Sequence, residues 1–265
     1  MPRRTAPLLR STLLGLVAAL ATVVVATLAA APAGAITNGG PDGSRHPSTG
    51  GLVAAQPYSD GTWVYCSGTL ISPTVFLTAA HCAESDDPRV RVTFSPAYHS
   101  GDITYAGTFA ADPLYTQAQS DPHDIAVVVL DAPVSGIDPA RLPAAGSLGN
   151  LPKDQIFTSV GYGAHAVVKA QSAGGHTFLY DDVRMVATGR LNATTPAWLR
   201  LSMNAATGDG GTCYGDSGGP NFLGSTTTVA TTTITGDSVC RATNVTYRLD
   251  TAAARDFLGG YVALP

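Results

Sequence analysis

Gly211-Thr-Cys-Tyr-Gly-Asp-Ser-Gly-Gly-Pro220 is the stretch that decides how this chain is read. Ser217 lies between Gly215 and the pair Gly218-Gly219, directly after Asp216. Glycines let a backbone turn sharply and approach a ligand without Cβ clashes. Such a turn can aim the N–H groups of Gly215 and Ser217 at one point, and two donors converging on a developing oxyanion are what acyl transfer needs. A serine hydroxyl becomes a useful nucleophile only when a base takes its proton. The rest of the chain therefore has to supply a histidine and a group that orients it.

Both lie upstream. Leu77-Thr-Ala-Ala-His-Cys82 follows a β-branched and aromatic run, and Asp124-Ile-Ala-Val-Val-Val-Leu130 sets a carboxylate at the mouth of an apolar strand. Together the three stretches, in the order His, Asp, Ser, resemble the chymotrypsin-like (trypsin-fold) serine proteases. The resemblance covers Ile36 to the C-terminus. It implies an all-β fold of two six-stranded antiparallel β-barrels with a short C-terminal helix. It also implies His81 as general base, Asp124 as its orienting carboxylate, Ser217 as nucleophile, and the amides of Gly215 and Ser217 as the oxyanion hole. The function expected is a secreted serine endopeptidase acting through an acyl-enzyme on a protein or peptide substrate.

The resemblance also implies a substrate pocket floored by Gly211, six residues before Ser217, with Gly236 and Val245 on its walls. A glycine where trypsin-like members carry aspartate argues against Lys or Arg specificity, because a buried cation needs a partner. Asp209 and Asp237 are close enough in sequence to alter that. Ile234-Thr235-Gly236 stands where the family usually has Ser-Trp-Gly, so a hydroxyl on the catalytic aspartate and an aromatic wall are both missing. Four cysteines allow three pairings and suit an oxidising compartment. The family resemblance selects Cys66–Cys82 and Cys213–Cys240.

Only 13% of residues are charged and 45% are hydrophobic, with a net charge of −4. Without residues 1–35, 12 Lys+Arg face 19 Asp+Glu, leaving −7. A scattered negative balance argues against nucleic acid or anionic membrane as partner. The cysteines and histidines have no zinc-site spacing. The acid cluster Glu84, Asp86, Asp87 matches no calcium loop and reads as a solvated turn. No metal or cofactor is expected, and a monomer is.

Residues 1–35 read as a secretory signal: Arg3, Arg4 and Arg10, then an apolar run from Leu13 to Ala30, then small residues. A retained anchor is the competing reading, since the run is long enough to span a bilayer; after cleavage no membrane association is expected. Ala33-Gly34-Ala35 would release Ile36, whereas Ala31-Pro32-Ala33 would release Gly34. Ile36-Thr-Asn-Gly-Gly40 resembles the family's mature start, whose terminal amine pairs with the aspartate before the nucleophile. An activation ion pair between Ile36 and Asp216 is therefore expected.

Residues 36–145 are read as the first barrel, with His81 and Asp124, and residues 146–265 as the second, with Ser217. Proline and glycine concentrate between 131 and 154. Strands are expected at 62–71, 74–80, 89–94, 102–109, 155–163, 183–190 and 198–204. A threonine-rich stretch, 221–235, reads as exposed strands, and Ala252–Leu258 as a helix. His46, His99, His165 and His176 read as surface or loop residues. Asn192 and Asn244 head glycosylation sequons. An α/β-hydrolase esterase also uses Gly-x-Ser-x-Gly, but no histidine follows residue 176. A protease-like binding module is the alternative outside enzymes.

Overall fold

The computed structural model describes residues 1, 36–118, 120–169 and 175–265. The expected leader and both cleavage frames lie outside the described residues. Elsewhere, short runs rich in Val, Ile, Thr and aromatic residues become antiparallel strands, because branched side chains pack well on a pleated surface. A two-residue strand β1 (Gly40–Pro41) comes first. β2 (Thr49–Val53), β3 (Val64–Ser72), β4 (Val75–Thr78), β5 (Arg89–Thr93), β6 (Thr104–Ala111) and β7 (Ala126–Leu130) close into a barrel in the order β2-β3-β4-β7-β6-β5.

The second half holds β8 (Ile156–Gly161), the hairpin β9 (Ala166–Lys169) and β10 (His176–Leu179), then β11 (Met185–Thr194) and β12 (Trp198–Ser202). β13 (Pro220–Leu223), β14 (Val229–Gly236) and β15 (Thr243–Arg248) complete it. β8 pairs with both β13 and β11, which closes the ring β8-β11-β12-β15-β14-β13. Helix α1 (Ala252–Leu258) starts at Thr251, whose hydroxyl accepts the Ala254 N–H, and stops at Gly259. Two six-stranded antiparallel barrels and one short helix are thus what the chain forms.

One continuous core joins Leu70, Phe76 and Val128 of the first barrel to Phe222, Tyr247 and Leu249 of the second and to Ala254 and Leu258 of α1. Burying each such side chain is worth about 1.5–3 kcal/mol. The threonines of β14 depart from expectation. Thr231, Thr232 and Thr233 are buried, because β14 sits between β13 and β15 in a closed barrel rather than at an edge.

His46, expected in a surface or loop position, lies in the loop between β1 and β2 and is half-buried. Its Nδ1 lies 2.5 Å from Asp42 Oδ1, and Arg184, fully buried, donates from Nε to Asp42 Oδ2 at 2.9 Å. Burial alone would push the Asp42 carboxyl up, but bonds from His46 and the Arg184 charge hold it below its ordinary value. Arg184 also donates to Thr49 O and Phe94 O, so the strap around β1 is tied to both barrels. Of the two sequons, Asn192 is exposed, whereas Asn244 is 1% exposed and bonded to Asn221, out of reach of any glycan transfer to the folded chain.

Candidate active site

His81 sits just past β4 in a single 3₁₀ turn, Ala80–Cys82, rather than on the strand end itself. The Cys66–Cys82 disulfide pins that turn to β3. Asp124 lies two residues before β7, and the burial of Ile125 anchors it. Its carboxylate is used twice by one partner: Oδ1 accepts the His81 N–H at 3.0 Å and Oδ2 lies 2.7 Å from His81 Nδ1. With Nδ1–H donating to the carboxylate, a neutral ring carries its free lone pair on Nε2, the arrangement a base toward a hydroxyl requires.

Ser217 is held by a different set of contacts. Its carbonyl accepts the Ser67 N–H at 2.8 Å, Gly218 N–H donates to Thr233 O at 2.8 Å, and Gly219 N–H donates to Asp216 O at 2.9 Å. Gly215 and Gly218 take left-handed φ values of 91° and 79°, as the glycine cluster demands. Among the described residues, neither the Gly215 N–H nor the Ser217 N–H has an acceptor within the chain. Two adjacent unpaired amides beside a serine form an open site for an oxyanion. His81 and Ser217 line the same cavity, of about 330 Å³. No hydrogen bond joins the Ser217 hydroxyl to His81.

Ser67 is a site residue that sequence reasoning missed. It is buried, its N–H holds Ser217 O, its hydroxyl donates to Gly215 O at 2.9 Å, and that hydroxyl accepts the Tyr162 N–H at 2.9 Å. It clamps the loop that carries Ser217 to the first barrel. Its place next to Cys66 was the only signal available. Gly218 fits equally closely: a Cβ there would lie 2.1 Å from Thr78 Oγ1 and 2.4 Å from Ser67 O. Gly218→Ala is expected to cost about 2–5 kcal/mol, combining overpacking with a left-handed backbone. Thermal unfolding of the purified variant checks this; an unchanged Tm would contradict it.

Asp216 is completely buried. Gly163 N–H and Cys213 N–H each donate to it at 2.8 Å. Burial pushes its carboxyl up to about 7, against the pull of those two donors. Glycine at 161 and 163 leaves the space it occupies, since a Cβ at Gly161 would lie 2.2 Å from its Oδ1. Among the described residues no cation pairs with it. Ile36 is buried against Met185 and Ala187, at φ 64°. The next residue, Thr37, pairs with Gly211, whose N–H donates to Thr37 O at 3.0 Å. The expected start of the mature chain is therefore docked two residues from Cys213, a donor to Asp216.

The cavity differs from expectation at two of three positions. Gly236 lines it, together with Thr212, Thr233, Ile234 and Thr235, but Gly211 and Val245 do not. Met203 fills the space beside Gly211: a Cβ there would lie 2.5 Å from Met203 Cγ. Val245 packs with the core instead. A bulge in β14 between Thr233 and Thr235 sets this register. Of the two nearby acids, Asp237 lines the cavity and keeps its charge, with no cation beside it among the described residues. Asp237 takes N–H donors from Arg241, Ala242 and Thr243, while Asp209 is bonded to Arg190 and Thr207. The Cys213–Cys240 disulfide closes the cavity's far side. Among the described residues, the one compact His/Cys/acid group of metal-binding size is Cys66, His81 and Cys82, and both its cysteines are in a disulfide. No helix of the described residues is long and apolar enough to cross a membrane.

Comparison with known proteins agrees with this geometry. A family model described as Trypsin matches residues 42–255. A protein named Trypsin from Phaedon cochleariae is 32% identical over 175 residues, which is 60% of this chain and 64% of that relative, so just under two thirds of the relative's length is spanned. Chymotrypsin-C from Bos taurus is 30% identical over 200 residues, 69% of this chain and 70% of that relative. A solved structure described as HL collagenase superposes with a TM-score of 0.62 at 18% identity, over 86% of this chain and 96% of that one, which speaks to fold alone. With its barrels, its glycine-bounded serine and a family match across most of its length, the chain belongs to the trypsin family.

Proposed function

We propose that this protein is an exported serine endopeptidase that hydrolyses peptide bonds through an acyl-enzyme. His81 takes the proton of Ser217 as its oxygen attacks the carbonyl carbon, then delivers it to the leaving amine. Asp124 keeps the His81 lone pair on Nε2 and balances the imidazolium. The Gly215 and Ser217 amides receive the oxyanion. The observation that carries this reading is the pair of unsatisfied amides beside Ser217, in a cavity shared with an Asp124-bonded His81. The chemistry is held in place by loops braced from both barrels.

The threonines, Ile234 and Gly236 support an apolar or small residue on the acyl side of the cut, although the carboxylate of Asp237 lines the same cavity. Export is supported by the apolar leader and by two disulfides, which persist in oxidising compartments. A monomer acting on protein or peptide is the simplest working form. One observation stands on the side of a binding module: the missing Ser217–His81 hydrogen bond. Such bonds are often long in ligand-free enzymes and tighten when substrate binds. A serine-directed fluorophosphonate separates the two. Stoichiometric labelling at Ser217, lost in Ser217→Ala, is the expected result. A folded, correctly processed protein that takes no label would overturn the enzyme reading.

A further inference from the structure

The two amides of the candidate oxyanion site belong to the peptide groups Tyr214–Gly215 and Asp216–Ser217. The Tyr214 carbonyl accepts the Ala164 N–H at 2.8 Å, and the Asp216 carbonyl accepts the Gly219 N–H at 2.9 Å. Between them lies the Gly215–Asp216 peptide, whose orientation sets the angle at which the two N–H groups converge. Gly215 has a φ of 91° and no Cβ, so its own dihedrals do little to fix that peptide. The N–H end of the peptide is tied to Cys213 O at 3.0 Å. Its carbonyl end, Gly215 O, is tied to a side chain, the Ser67 hydroxyl, at 2.9 Å.

The direction of that bond is fixed by its neighbours. Ser67 is 0% exposed, so its hydroxyl has only protein partners to choose from. The Tyr162 N–H, which can only donate, takes Ser67 Oγ as its acceptor at 2.9 Å. Gly215 O can only accept, so the single hydroxyl proton points at Gly215. The backbone of Ser67 is held as firmly. Its N–H donates to Ser217 O at 2.8 Å, and its carbonyl accepts the Thr78 hydroxyl at 2.8 Å. Its neighbour Cys66 is joined to Cys82, next to His81. One residue of the first barrel therefore grips the loop on either side of the Ser217 N–H. Tyr162 in turn leads into Gly163, whose N–H holds the Asp216 carboxylate.

We propose that Ser67 is a positioning residue for the oxyanion site: its hydroxyl holds the Gly215 carbonyl so that the Gly215 and Ser217 N–H groups converge on the developing charge. The inference rests on the hydrolase reading above and deepens it. Without the hydroxyl, the buried Tyr162 N–H and Gly215 O both lose their partner, which is costly. The Gly215–Asp216 peptide then turns toward a new donor, and the two amides swing apart.

An ester compared with its thionoester, in which sulfur replaces the carbonyl oxygen, tests this. Sulfur is a weak hydrogen-bond acceptor, so a well-formed oxyanion site favours the oxygen ester, and a loosened one favours it less. In the processed chain, Ser67→Ala is expected to lower kcat on the oxygen ester about tenfold with KM little changed, less than the roughly 10²–10³ lost when a donor itself is removed. The thionoester rate should hold, so the oxygen-to-sulfur ratio falls about tenfold as well. Thr78→Val is the control: it removes the bond to Ser67 O and leaves the Ser67 hydroxyl in place. It should melt at a lower temperature and keep the parent's ratio. Should Ser67→Ala not fold, Ser67→Cys, whose thiol is a weak donor, is read in the same way. A Ser67 variant that melts lower yet keeps the parent's ratio would overturn the proposal and leave the hydrolase reading standing. An equal fall in Thr78→Val would overturn it too, since any loosening would then suffice. A parent chain that hydrolyses neither ester and takes no fluorophosphonate removes both.

Discussion

Asp124→Asn is expected to lower kcat by about 10⁴ while leaving the barrels folded. The reason lies in how His81 uses both carboxylate oxygens. Oδ1 accepts a backbone N–H, at 3.0 Å, which can only donate. An asparagine must therefore turn its carbonyl oxygen toward that N–H and its amino group toward Nδ1, 2.7 Å from the native Oδ2. Nδ1 then has to accept, which moves the ring proton to Nε2 and leaves no lone pair facing Ser217. The side chain is almost isosteric, so fold stability should change little. Steady-state kcat on a small ester, with thermal melts as the folding control, checks this. A kcat within tenfold of the parent would exclude Asp124 as the residue that orients the base.

A chain beginning at Ile36 is expected to be about 10²–10⁴-fold more active than one retaining Ala35, and to depend on pH differently. In the uncut chain Asp216 is buried with no cation beside it among the described residues, and its carboxyl is pushed up to about 7 from an ordinary 3.8. Between those values the unfolded chain has lost this proton while the folded chain keeps it. The folded state binds more protons there, so stability is fully present below about pH 4 and declines as pH rises toward 7. Cutting before Ile36 creates an amine on a segment already paired with Gly211 through Thr37. The cut also frees a branched residue from a φ of 64°, since a terminal residue has no preceding carbonyl to clash with. An amine paired with Asp216 would lower its pKa and remove the loss between pH 4 and 7. A buried ion pair lacking one partner is worse by about 3–5 kcal/mol, which sets the activity ratio. Two preparations with defined N-termini, compared by kcat/KM and by Tm across this pH range, decide the matter. Equal activity and parallel melting curves would refute the pairing.

The candidate site residues could be named because each is announced locally. Glycines around Ser217, a small-residue turn at His81 and an apolar strand after Asp124 are properties of a few neighbouring side chains, and their order along the chain carries through to the barrels. Helix α1 was equally local, with Thr251 as cap and Gly259 as stop. What the sequence hid depends on residues far away. Ser67 bridges Ser217, Gly215 and Tyr162 only after two barrels pack. The bulge in β14 decides which side chains face the cavity, because each one-residue shift of a strand exchanges its two faces.

Met203 behind Gly211 and the buried threonines in β14 arise in the same way, from register and closure. By itself, then, the sequence determined the family and the barrels and named the candidate residues, since those follow from local chemistry and pattern. The tertiary structure alone decided which side chains wall the cavity and which buried carboxyl lacks a cation among the described residues, since both depend on long-range packing that no short stretch of chain contains.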